Sequence, residues 1–137
     1  MGHEAWVSDP VKFEHEWRFY VQKGQVIGHA QYDPGNDAPL SHEGLGLAGK
    51  VINLMEQSPT KPPSAYAIDV GLVGNRHVLV EINDGWATGF YPGAIKPVQY
   101  LNWLQSRWMD ICESSQLNQS HVEDDPTSHY AEAIHES

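Results

Sequence analysis

The chain has 137 residues (15.3 kDa), 40% of them apolar and 10% aromatic, a globular composition of single-domain size. Eighteen acids against eight bases leave a formal charge of −10, which argues against a nucleic-acid duplex or an anionic membrane surface as partner. The single Cys112 excludes an internal disulfide. No apolar run approaches the ~18 residues of a membrane span, and the N-terminus lacks the basic and apolar regions of a secretory leader. A cytoplasmic protein is the expectation.

From Glu16 to Gln22 the chain alternates with period two: Trp17, Phe19 and Val21 point one way, Glu16, Arg18, Tyr20 and Gln22 the other. Lys23-Gly24 is a turn signal and Gln25–Tyr32 resumes as a strand, giving a first hairpin. Asp33–Asp37 is a loop of turn-forming residues. Leu47, Ala48, Val51, Ile52, Leu54 and Met55 recur at helical spacing, so a helix is predicted over about 44–57. The proline-rich run Ser58–Ser64 ends it.

A second hairpin follows, with arms 66–73 and 77–83 around Gly74-Asn75-Arg76. After a glycine-punctuated loop, Pro97 opens a helix to about Cys112, with Val98, Leu101, Leu104, Trp108 and Ile111 as its predicted buried stripe. Residues 1–112 thus form one lobe of about −4. Residues 113–137 carry six acids and no base, and read as a solvated, disordered tail whose three histidines match no tight metal spacing. The expected fold class is α+β: an antiparallel sheet built from two β-hairpins, with both helices packed on one face.

The second hairpin carries the chemistry. A two-residue loop would pair Asp69 with Val80. A three-residue Gly-Asn-Arg loop pairs Val73 with His77 and sets Asp69 across from Glu81 and Ala67 across from Asn83. The second register leaves one face aliphatic and puts Asp69, Glu81 and Asn83 on the other, so burial selects it. Directly opposed carboxylates repel unless one is protonated or a cation lies between them. Neither arm places a Lys or Arg on that face. Three oxygen donors without sulfur suit Mg²⁺ or Mn²⁺. A solvent-exposed sheet face that tolerates its acids is the other reading of the same residues.

The run Tyr66-Ala67-Ile68-Asp69-Val70-Gly71 with Val80-Glu81-Ile82-Asn83-Asp84-Gly85 resembles the end of the ATP-grasp catalytic domain, where an Asp and, about a dozen residues on, Glu-x-Asn hold magnesium on ATP. Trp6–Val11, Glu14–Val21 and Tyr91-Pro92-Gly93 before a closing helix are similar to the short ATP-grasp clade named for two arginines and a lysine. The resemblance spans about residues 4–112. It implies metal ligation by Asp69, Glu81 and Asn83. It implies cofactor binding by Glu4, Trp6 and Val7 at the adenine hinge and by Glu16 near the ribose. Arg18 would be the phosphate-facing catalytic cation, and residues 85–89 would line an acceptor pocket. The implied cofactors are ATP and Mg²⁺ (or Mn²⁺). The implied chemistry is that of carboxylate–amine ligases acting through an acyl phosphate.

The chain departs from the family pattern in lacking the preceding region that bears phosphate-binding lysines and a glycine-rich flap. Ala67 also replaces an arginine two residues before Asp69. A partner chain or a second copy completing the cleft is therefore expected. Two alternatives stand beside this reading: a degenerate, non-catalytic lobe serving as a binding or oligomerisation module, and a metal-dependent hydrolase using Asp69 and Glu81.

Overall fold

The computed structural model describes residue 5 and residues 7–123, with side chains to residue 117. Strands β1 (His15–Gln22) and β2 (Gln25–Gln31) precede helix α1 (His42–Glu56). Strands β3 (Ala65–Val73) and β4 (Arg76–Asp84) then lead through a 3-10 turn, Gly85–Ala87, to helix α2 (Pro97–Glu123). The sheet has four strands in the order β2-β1-β3-β4, every neighbouring pair antiparallel. The class is the α+β sheet of two hairpins and two helices that the sequence predicts.

Lys23 (φ 48°) and Gly24 (φ 74°) both adopt the left-handed conformation that a two-residue I′ hairpin turn needs, which closes β1 onto β2. On α1, Ser41 caps the N-terminus, its Oγ accepting the Gly44 N–H.

The helices differ from expectation in one respect: they cover opposite faces. Trp17, Phe19, Val21, Tyr66, Ile68 and Val70 pack with Ala48, Val51 and Ile52 of α1. Tyr20, Ala65 and Ala67, from the alternate positions of the same strands, pack with Ala94, Ile95 and Trp103 on the α2 side. The central strands β1 and β3 are apolar on both sides at this end, so each side needs cover.

The α2 stripe is corrected in part: of its predicted members Leu104 packs against the core on this side and Ile111 is half-buried. Trp103 is the fully buried residue, and its Nε1–H donates to the Val21 carbonyl at 2.8 Å. Val98, Leu101 and Trp108 are exposed. Polar anchors turn the Trp103 side inward: Arg107 pairs with Asp84 at 2.6 Å, and Asp110 accepts from the Ser64 N–H and hydroxyl, both at 2.6 Å. The helix runs past Cys112 to Glu123, so the first eleven residues of the predicted tail are helical. No proline or glycine interrupts 113–123, and the backbone bonding simply propagates. The remainder of the tail lies outside the described residues.

Candidate functional site

The geometry of the site begins with a register. Gly74, at φ 58°, is the first central residue of a two-residue turn, the position a II′ hairpin reserves for glycine, and Val73 faces Arg76 rather than His77. Left unchanged, that register would set Asp69 against Val80. A bulge between Asp69 and Val70 on one side and Glu81 and Leu79 on the other absorbs Val80, and Asp69 then faces Glu81 and Ala67 faces Asn83. The predicted pairing is present, reached by a two-residue turn and a bulge instead of a three-residue loop.

The cation between the acids comes from the neighbouring hairpin. Arg18 of β1 lies directly across from Asp69. Its Nε donates to Oδ1 at 2.8 Å and its Nη2 to Oδ2 at 2.6 Å, a bidentate pair. Nη2 also lies 4.0 Å from Glu81 Oε1. Asp69 has no exposed surface, whereas the Glu81 side chain is 51% exposed. The two acids are therefore not a bare repelling pair: a guanidinium offsets them without any added ion. Glu16 sits on the same face of β1, two residues before Arg18. Across the hairpin, the Tyr32 N–H donates to the Glu16 carbonyl at 2.9 Å, and the Tyr32 ring lies 4.7 Å from the Arg18 guanidinium carbon.

The electrostatics are acid-rich. Burial pushes the Glu16 carboxyl above its ordinary range; a bond from Tyr32 opposes this, while Asp69, Asp33 and Glu81 add to it. Burial also raises Asp69, with Arg18 pulling it down and Glu81 pushing it further up. Arg18 is raised, chiefly by its hydrogen bonds to Asp69. Tyr32 is raised by burial and then by Glu16.

Glu16, Arg18, Asp69, Glu81 and Asn83 thus share one face of the sheet, at the end α2 leaves open. Asn83 makes no side-chain hydrogen bond to another described residue, so its oxygen is available. Val7 is exposed on the segment before β1. Glu4 and Trp6 lie outside the described residues. Among the described residues no three His, Cys, Asp or Glu side chains converge as a metal cage. A divalent ion here would rest on two carboxylates and one amide.

The 85–89 segment borders this face. Gly85 packs against the Ala65 carbonyl, where a Cβ would come within 2.6 Å, and the Tyr20 hydroxyl donates to the Gly89 carbonyl at 2.7 Å. A cavity of about 560 Å³ lies further along, lined by Phe90, Pro92–Pro97 and Gln99. Tyr32 is the member of the cluster that sequence reasoning missed. Its signal was present: it ends the second arm of the first hairpin, opposite Glu16.

A family model described as an ATP-grasp domain, family 2 of the clade named for two arginines and a lysine, matches residues 1–103. No curated protein matches the chain. Among solved structures, two of Cdc123 from Schizosaccharomyces pombe, one of them C-terminally truncated, are similar to it at 25% identity with a TM-score of 0.37. Each match covers 56% of this chain, and the chain spans only 30–31% of the Cdc123 chains.

Proposed function

This chain belongs to the ATP-grasp domains, in family 2 of the two-arginine, one-lysine clade, and from that premise we propose that the polar cluster on the α2 side of the sheet binds ATP with Mg²⁺. The observation that carries the reading is the charge balance of the cluster: three carboxylates, Glu16, Asp69 and Glu81, share this face with one guanidinium, Arg18, which is bonded to Asp69 and lies 4.0 Å from Glu81. Such an excess of acid suits a divalent cation, and the donor atoms are the hard oxygens magnesium prefers.

The residues present fit the ion. Glu81 and Asn83 offer oxygens toward the open end of the face. Asp69 offers its own once Arg18 turns away. When bound, magnesium neutralises phosphate charge and polarises the transferring phosphoryl group. Arg18 has the complementary role, because its planar fork, now on Asp69, can engage phosphate oxygens in the same bidentate manner. The Tyr32 ring beside it restricts where the guanidinium travels. Glu16, held by Tyr32, would accept from a ribose hydroxyl. The reaction class that follows from the family is carboxylate activation. In that class a substrate carboxylate would take the terminal phosphoryl group of ATP with release of ADP, and an amine would then displace phosphate from the acyl carbon and lose a proton to solvent or to the departing phosphate. Arg18 would stabilise charge developing on the phosphoryl oxygens.

Thermal denaturation with Mg²⁺ alone, ATP alone and both together tests the reading. Joint addition is expected to protect by about 2.7 kcal/mol at a hundredfold excess over Kd, more than the two separate effects combined. Glu81→Gln, at a half-exposed position, should remove the Mg²⁺-dependent part while leaving the free protein folded. No shift with Mg²⁺ and ATP together would overturn the proposal.

A further inference from the structure

Between Val98 and Cys112 the face of α2 turned away from the sheet is largely apolar, and among the described residues no strand or second helix covers it. We propose that it is the docking surface for a second copy of this chain, through helix-to-helix contact. This inference is independent of the nucleotide reading, because the surface lies on the outer side of α2 and the polar cluster on the sheet.

Val98, Leu101, Gln105, Trp108 and Cys112 follow one another at alternating steps of three and four residues, the spacing of a helix-pairing seam. Trp103, Arg107 and Asp110 occupy the opposite side of the helix and are consumed by the sheet and its loops. Trp86, from the 3-10 turn, stacks on Trp108 with ring centroids 5.3 Å apart and widens the seam. Val98, Leu101, Met109, Trp86 and Trp108 keep between 49% and 64% of their surface open. An isolated exposed leucine means little, but two stacked tryptophans beside a row of aliphatics form a contiguous patch.

Charge and area choose the occupant. Arg107 and Asp110 are the charged residues of α2 between Pro97 and Cys112, and both are turned inward and paired. Over this stretch the outer face therefore carries no charge. A basic partner of so acidic a chain would be drawn by carboxylates, which this face lacks. Two copies, each at −10, can meet here without opposing like charges across the contact. The open apolar surface of these five side chains is on the order of 600 Å², before Asn102 and Gln105 are added, near the ~800 Å² each partner gives to a standard interface.

Analytical ultracentrifugation of the full chain across the micromolar range tests this. The wild type is expected to sediment as a dimer that dissociates on dilution. Leu101→Glu and Trp108→Glu should each be monomeric with an unchanged far-ultraviolet spectrum. Gln105→Glu removes no packing inside the monomer yet sets like charges against the seam, so it should weaken association at least tenfold even if the apolar variants fail to fold. Leu54→Glu, at an exposed site on α1, should leave the dimer intact. A wild-type monomer throughout the range, a larger assembly, or a dimer that survives Gln105→Glu undiminished overturns the proposal.

Discussion

A fully buried carboxylate with both oxygens held by one guanidinium makes Asp69 and Arg18 a single energetic unit. Taking away one partner leaves the other charge buried and unmatched. Arg18→Met should therefore cost about 3 kcal/mol at neutral pH, read by urea denaturation. Burial, the largest influence on Asp69, raises its carboxyl above the ordinary 3.8 in spite of Arg18. A raised carboxyl favours folding most when protonated: its contribution is fully present below the unfolded value and is lost as pH rises through the folded one. Without Arg18 the main downward pull is gone, so the Arg18→Met deficit should shrink in acid. Glu16 obeys the same sign, its carboxyl being raised above 4.5 by burial first. Glu16→Gln should match the wild type below that value and become the more stable of the two as pH rises. Asp69, Glu81 and Asn83 were legible as one face because they sit within one hairpin whose other face is aliphatic, so burial selects the register, although a bulge and not the turn delivers it. The Arg18 partnership was not, since it depends on register between strands 51 residues apart, with a helix intervening.

At the scale of elements, both hairpins could be read from alternation and turn residues, but the side each helix takes could not. In α2 the apolar spacing of Val98, Leu101 and Trp108 marks a real face, though not the one that meets the sheet. Trp103 wins that place because its ring fills the space against Tyr20 while its N–H satisfies a backbone carbonyl. Trp103→Ala is accordingly expected to cost about 3–5 kcal/mol, against less than about 1 kcal/mol for Trp108→Ala in the monomer, both by chemical denaturation. Close packing of the loop after β4 gives a second test. A Cβ on Gly28 would come within 2.1 Å of the Ala94 carbonyl, so Gly28→Ala must push the 91–95 segment off β2. A loss of about 1–3 kcal/mol is expected, with amide shifts concentrated in that segment.

Across the whole molecule, one sheet separates two kinds of surface. The α1 side and the end beneath Trp103 are closed apolar packing. The far end of the α2 side gathers Glu16, Arg18, Asp69, Glu81 and Asn83, drawn from three different strands. No described helix is long and apolar enough to cross a membrane. The −10 total makes a bound cation count, because it is one of few charges opposing the net field. It also raises a competing destination for any divalent ion: the acid-rich residues beyond α2. Location, more than affinity, is therefore the decisive property. Titrating Mn²⁺ into the ¹⁵N-labelled full chain with ATP present measures it, since the paramagnetic ion broadens the amide signals nearest to it. Signals of Asp69, Glu81, Asn83 and Arg18 are expected to broaden first and only weakly without ATP. Broadening confined to the C-terminal acidic residues, with β3 and β4 unchanged, would contradict the account.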